Sequence, residues 1–168
     1  AEAAKVGDTG SIRASCGGDY FVWGWDSLVS GHEFYRWGDT RAMRDMASFF
    51  ETHRAEDGSI PHRYDNQLQV LQATGYDFNT QLFISLVYHT FAHTHDPRWL
   101  LERYPLVREM YVRMANQTDA RGLFPCLGMY PDAPEKLGRT PEHFIAEEQG
   151  FWYSVCRMME RMARQVGD

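Results

Sequence analysis

Three short stretches of this chain bring carboxylates and aromatic rings together. They are Trp23-Gly24-Trp25-Asp26-Ser27, Thr74-Gly75-Tyr76-Asp77-Phe78-Asn79 and Ala146-Glu147-Glu148-Gln149-Gly150-Phe151-Trp152. Carboxylates accept hydrogen bonds from hydroxyl groups, and aromatic faces stack on the apolar face of a pyranose. A carboxyl held protonated beside a second, ionised one is the equipment for cleaving a glycosidic bond. Each stretch also has a plainer reading. Asp26 and Asp77 suit helix N-caps, held by free backbone N–H groups and the helix dipole. Trp23 and Trp25 suit a core, and Glu147 and Glu148 suit a solvated helix face. The three stretches matter together only if the fold brings them to one place.

Glycine and proline divide the chain into the blocks that would do this. The pattern predicts helices over about 27–37, 39–54, 77–93, 96–117 and 141–166. Asp39 caps the second. Asp96-Pro97 gives the fourth an N-cap followed by proline at the first helical position, and Thr140-Pro141 does the same for the fifth. Leu100, Tyr104, Val107, Met110 and Met114 recur at steps of three and four, as do Trp152, Val155, Met159, Met162 and Val166. The residues from Tyr64 to Thr74 read as a polar loop, and a short strand fits only around Tyr20 to Trp23.

A repeat is present. Gly38-Asp39 recurs as His95-Asp96 and Gly167-Asp168, and the stop Gly58-Ser59-Ile60-Pro61 recurs as Gly122-Leu123-Phe124-Pro125. The unit is helix, tight turn with Asp, helix, Gly-x-apolar-Pro stop and long loop, with a period of about sixty residues. Short turns alternate with long loops, so the tight turns fall at one end of the bundle and the long loops at the other. All three acidic–aromatic stretches sit at loop-to-helix junctions. The reading is one all-α domain over 1–168, with residues 1–19 as a lead-in. Two and a half helical hairpins are present, and the last helix has no hairpin partner. The expectation is a piece of a longer domain; the alternative is a five-helix domain that covers the open face by dimerising.

Composition narrows the possibilities. The chain has 168 residues, 43% hydrophobic and 14% aromatic, enough for a globular core. Net charge is −6 and the basic residues are scattered, which argues against nucleic acid or an anionic membrane as partner. No apolar run approaches a membrane span. Cys16, Cys126 and Cys156 are far apart and odd in number, which points to a reducing compartment and a cytoplasmic protein. A mature secreted form reads the same way. His89, His93 and His95 lie near helical spacing but lack an acidic or thiol companion, so no metal or other cofactor is expected. The methionines read as packing residues.

From Tyr20 to Phe50, with Trp-x-Trp-Asp-Ser and then Gly-Asp-x-x-x-Met, the chain resembles the opening of the six-hairpin glycosidases. These include glucoamylases, trehalases and mannosyl-oligosaccharide glucosidases. Asp57 to His62 is similar to their stop after the second helix, Gly75 to Gln81 to their third-helix start, and Glu147-Glu148 through Ala163 to their fifth helix. The resemblance covers the chain from about residue 19 and implies an (α/α)6 toroid. It implies that Asp26, with Trp25 beside it, grips the sugar. It implies that Glu147 is the general acid, with Glu148 a substrate ligand and Asp26 an alternative acid. The Glu-Ser-Gly-x-Asp motif that carries the acid in trehalases is absent. The general base of these families lies beyond Asp168.

The expected activity is therefore hydrolysis of an α-linked gluco- or mannosidic bond, with inversion. An inverting site holds its carboxyls roughly 6.5–9.5 Å apart. Trp23, Trp25, Asp26, His62, Arg63, Tyr76, Asp77, Glu148 and Trp152 are the candidate carbohydrate contacts. The same ring fold also serves polysaccharide lyases, sugar epimerases and disaccharide phosphorylases. His62 and Arg63 give the lyase reading a base and a cation. A non-enzymatic helical-repeat scaffold is the remaining class.

Overall fold

The computed structural model describes residues 22–64, 70–72, 77–125 and 144–168. Five helices account for most of them: α1 Gly24–Trp37, α2 Thr40–Thr52, α3 Asp77–Thr94, α4 Pro97–Ala115 and α5 Ala146–Val166. Three short strands, β1 Val22–Trp23, β2 Arg63–Tyr64 and β3 Val70–Gln72, form a small antiparallel sheet in that order. The all-α expectation holds at that level. β1 falls where a short strand was expected. β2 and β3 replace part of the expected loop. They are two or three residues long, too short for any period-2 pattern to register.

The helices form two rows. α3 packs against α1 on one side and α5 on the other, giving an inner row α1–α3–α5. α2 packs against α1 and α3, and α4 against α3 and α5. α3 therefore has neighbours on most of its circumference. Eleven of its residues are buried, including Asn79, Thr80, Gln81, Ser85 and Thr90. Such a helix shows no amphipathic stripe. α2, at the periphery, keeps a clear one, burying Ala42, Met43, Met46, Ala47, Phe49 and Phe50. One continuous core runs from Leu28 and Phe34 through Phe83, Leu86 and Val107 to Val155 and Met162. Each large apolar side chain buried there contributes roughly 1.5–3 kcal/mol.

Both parts of the repeat are visible as geometry. At the tight turns Gly38, His95 and Gly167 adopt left-handed φ values of 70°, 52° and 80°. Asp39 N–H donates to the Phe34 carbonyl at 3.0 Å and Asp168 N–H to that of Ala163 at 3.0 Å, the same six-residue closure. Asp39 and Asp96 then cap α2 and α4, accepting from Ala42 N–H and from Arg98 and Trp99 N–H. At the stops, Ala55 N–H donates to Ser59 O and Asp119 N–H to Leu123 O, both at 3.0 Å, with Gly58 and Gly122 at φ 80° and 78°. The buried Ile60 and Phe124 follow.

Two helix starts differ from expectation. α1 begins at Gly24, so Asp26 lies inside its first turn and is no N-cap; the cap position is Trp23, without a side-chain bond. The reason is tertiary: Gly24 N–H donates to His62 O at 2.8 Å, so the β1–β2 segment supplies the partner that a cap side chain would. α5 begins at Ala146 with Ile145 in the cap position. The expected Thr140-Pro141 start lies outside the described residues.

Candidate active site

At the long-loop end, the N-terminus of α3 packs against those of α1 and α5. Pro61 joins the first two: its carbonyl accepts from Asn79 Nδ2 at 2.9 Å, and the next residue's carbonyl takes Gly24 N–H. A Cβ on Gly24 would stand 2.5 Å from Pro61 O and 2.7 Å from Asn79 Nδ2. The glycine of Trp-Gly-Trp-Asp is thus required by close approach. Thr80 Oγ1 accepts from Ile60 N–H at 3.0 Å. The third junction repeats the device: Gln149 accepts Phe124 N–H at 2.9 Å and donates to Phe124 O at 2.6 Å. Thr80 and Gln149 are each the fourth residue of their helix. Asp26, Asn79 and Glu148 are each the third. The repeat therefore brings Asp26, Asp77, Glu147 and Glu148 to one end, as expected.

Glu148 is the unusual member. Its side chain is wholly buried, at 0% exposure, on the seam between α5 and α3. Gln81 Nε2 lies 2.6 Å from Glu148 Oε1. Burial pushes the carboxyl up to about 8; the Gln81 bond opposes this, while the charges of Glu147 and Asp77 add to it. Its position in the first turn of α5 favours a carboxylate by about 0.3–1 kcal/mol. Loss of hydration is worth several kcal/mol per buried ion, and burial wins. Glu147, one residue earlier, points outward and is exposed. The apolar setting expected for Glu147 thus belongs to Glu148, because a one-residue step turns a helix by about 100°.

The other candidates fall into groups. Trp23, His62 and Arg63 share the β1–β2 pairing. The buried His62 meets Trp23 edge-on at 5.1 Å, and the Arg63 guanidinium lies over the same indole at 5.3 Å. Trp25 and Asp26 are half-buried at the start of α1. Asp77 is held by Arg113 at 2.5 Å and Gln117 at 3.4 Å, tying α3 to α4. Tyr76 lies outside the described residues.

Trp152 requires a correction. It is 5% exposed, stacked on Tyr111 at 5.4 Å and Phe124 at 5.2 Å. No face of the indole is left for a sugar, because the helix stripe carrying Trp152 is the one that packs on α4 and the stop.

Sequence reasoning passed over Gln81, Thr80 and Gln149. The register of the repeat could have found Thr80 and Gln149. Nothing local marks Gln81, a good helix former in mid-helix.

Among the described residues, no three His, Cys, Asp or Glu side chains are placed to hold a metal ion. His89 instead faces His32 at 5.4 Å and Tyr35 at 5.5 Å, and His93 faces Tyr35 at 5.2 Å. No described helix is long and apolar enough to cross a membrane. Comparison with protein-family models, curated proteins and solved structures found no match.

Proposed function

We propose that this chain carries the proton-donating part of a glycoside hydrolase site and that Glu148 is the donor. The reaction class is cleavage of an α-linked gluco- or mannosidic bond, probed as an inverting displacement. One observation carries the reading: Glu148 is a fully buried carboxyl in the first turn of α5, and so held neutral up to about pH 8, with the carboxylates of Glu147 and Asp77 acting on it. A general acid needs its proton at working pH, and burial supplies that condition. Glu147, exposed one residue earlier, and Asp26, at the equivalent place on α1, are the substrate-facing carboxylates. Trp23 and Trp25 offer rings for the sugar.

The architecture proposed for the whole domain is an (α/α)6 toroid. The inner row α1–α3–α5 with α2 and α4 outside it supports this reading, because an arc of such a ring would pack its helices in the same way. Further hairpins would close the arc.

The test is hydrolysis of a panel of α- and β-linked disaccharides and aryl glycosides. Turnover of α-glucosides or α-mannosides is expected. Glu148→Gln should reduce it by about 10²–10⁴-fold, the usual contribution of a positioned acid. Full activity in that variant would overturn the assignment.

A second reading has its own observation. His62 and Arg63 both contact the Trp23 indole, the imidazole edge-on at 5.1 Å and the guanidinium over the ring at 5.3 Å. A uronate lyase needs that pair. It would release an unsaturated, ultraviolet-absorbing product from a polyuronate, and Glu148→Gln would leave the rate unchanged.

A further inference from the structure

We propose that Gln81 is a positioning residue for Glu148, closing a two-bond ring between its side-chain amide and the neutral carboxyl. The inference rests on the reading of Glu148 as proton donor and adds the group that orients it.

The argument is a count of donors and acceptors. Gln81 and Glu148 are both fully buried and their heads are 2.6 Å apart. Among the described residues, two polar atoms at this spot have no hydrogen-bond partner: Gln81 Oε1 and Glu148 Oε2. Both are acceptors when the glutamate is ionised. Two buried acceptors left over at one contact lack a single proton. A proton on Glu148 Oε2, donated to Gln81 Oε1, satisfies both, while Gln81 Nε2 donates to Glu148 Oε1. Turning the amide over puts its oxygen against Glu148 Oε1, and that contact also requires a proton on the carboxyl. With the amide as placed, the two leftover acceptors call for that proton; turned over, the contact itself does.

The surroundings do not offer an alternative. The charged groups acting on Glu148 are Glu147 from its own helix and Asp77 from α3, and both disfavour ionisation. Arg113 pairs with Asp77 through Nη2 and is not among the charges acting on Glu148. When the proton leaves, Gln81 keeps its N–H bond to the carboxylate, so one partner serves both states that an acid passes through.

Infrared spectroscopy reads this directly. At pH 6.5 the protein should show a protonated-carboxyl C=O band that Glu148→Gln removes. In Gln81→Met, of similar volume, that band should persist and move to higher frequency, because the carbonyl has lost its hydrogen bond. An unmoved band would overturn the role of Gln81 and leave Glu148 as donor. Absence of any band removed by Glu148→Gln would overturn both claims. A second measurement needs no change at Gln81. With ¹³C in the glutamine side chains, one amide C=O band should shift upward as pH passes 8, and should stay fixed in Glu148→Met. A wild-type amide band that does not follow the Glu148 titration would overturn the ring.

Discussion

At the scale of single residues, the site turns on which of two adjacent glutamates is buried. Both occupy the first turn of α5, and the helix dipole acts alike on each. Glu148 alone loses its water, and that burial raises its carboxyl to about 8. Activity should separate them: Glu148→Gln should cost at least tenfold more in kcat than Glu147→Gln, read in parallel on the same aryl glycoside. Equal losses would mean that the pair acts as a unit. The left-handed turns give a second prediction. His95 at φ 52° stands where Gly38 and Gly167 serve the other two turns. A left-handed non-glycine residue costs about 1–2 kcal/mol, so His95→Gly should stabilise by about 0.5–1 kcal/mol once the added entropy of the unfolded chain is subtracted. Chemical denaturation measures this; a loss of stability would show that the imidazole makes a contact worth more than the strain.

At the scale of elements, the turns and stops were legible because their signals are local. Gly-Asp and Gly-x-apolar-Pro each fix a backbone path within five or six residues, and the two stops close with the same 3.0 Å bond. The start of α1 was misplaced because the group that sets it is distant. Gly24 N–H reaches His62 O, thirty-eight residues further along the chain. β2 and β3 escaped for the same reason: their partner strands define them. The α1 start should be intolerant of a side chain. Gly24→Ala would drive a Cβ into Pro61 O, which is backbone and cannot swing away. Its melting temperature should fall by several degrees, consistent with an overpacking cost of about 1–3 kcal/mol. Gly58→Ala is the control. Nothing lies within 4 Å of its Cβ, and only the φ of 80° opposes it.

At the scale of the molecule, two buried groups should shape stability against pH in opposite directions. Glu148 titrates at 4.5 when exposed and about 8 when folded. Between those values the unfolded chain has lost a proton that the native chain keeps, so stability falls as pH rises, by about 5 kcal/mol across the window. Glu148→Gln should therefore raise the melting temperature at pH 8, with the gain fading toward pH 4.5. His32 is pushed down to about 4, first by burial and then by the neighbouring His89. Between 6.5 and 4 the unfolded chain binds a proton that the native chain refuses, so stability falls as pH falls. His32→Leu should flatten that acid limb. Melting curves from pH 4 to 9 test both, and a difference from wild type that is constant with pH would refute either.

The sequence by itself determined the helical class, the three tight turns, the two stops and the end of the bundle where the acidic–aromatic stretches gather. Those follow from periodicity and from glycine, proline and Asp acting on their immediate neighbours. Only the tertiary structure decided that Glu148 is the buried glutamate, that Gln81 is its partner, that Trp152 is core and that Asp77 is bound to Arg113. Burial is a property of what lies opposite a residue. Gln81 and Glu148 are sixty-seven positions apart in the chain, and no local pattern records that two helices will bring them within a hydrogen bond.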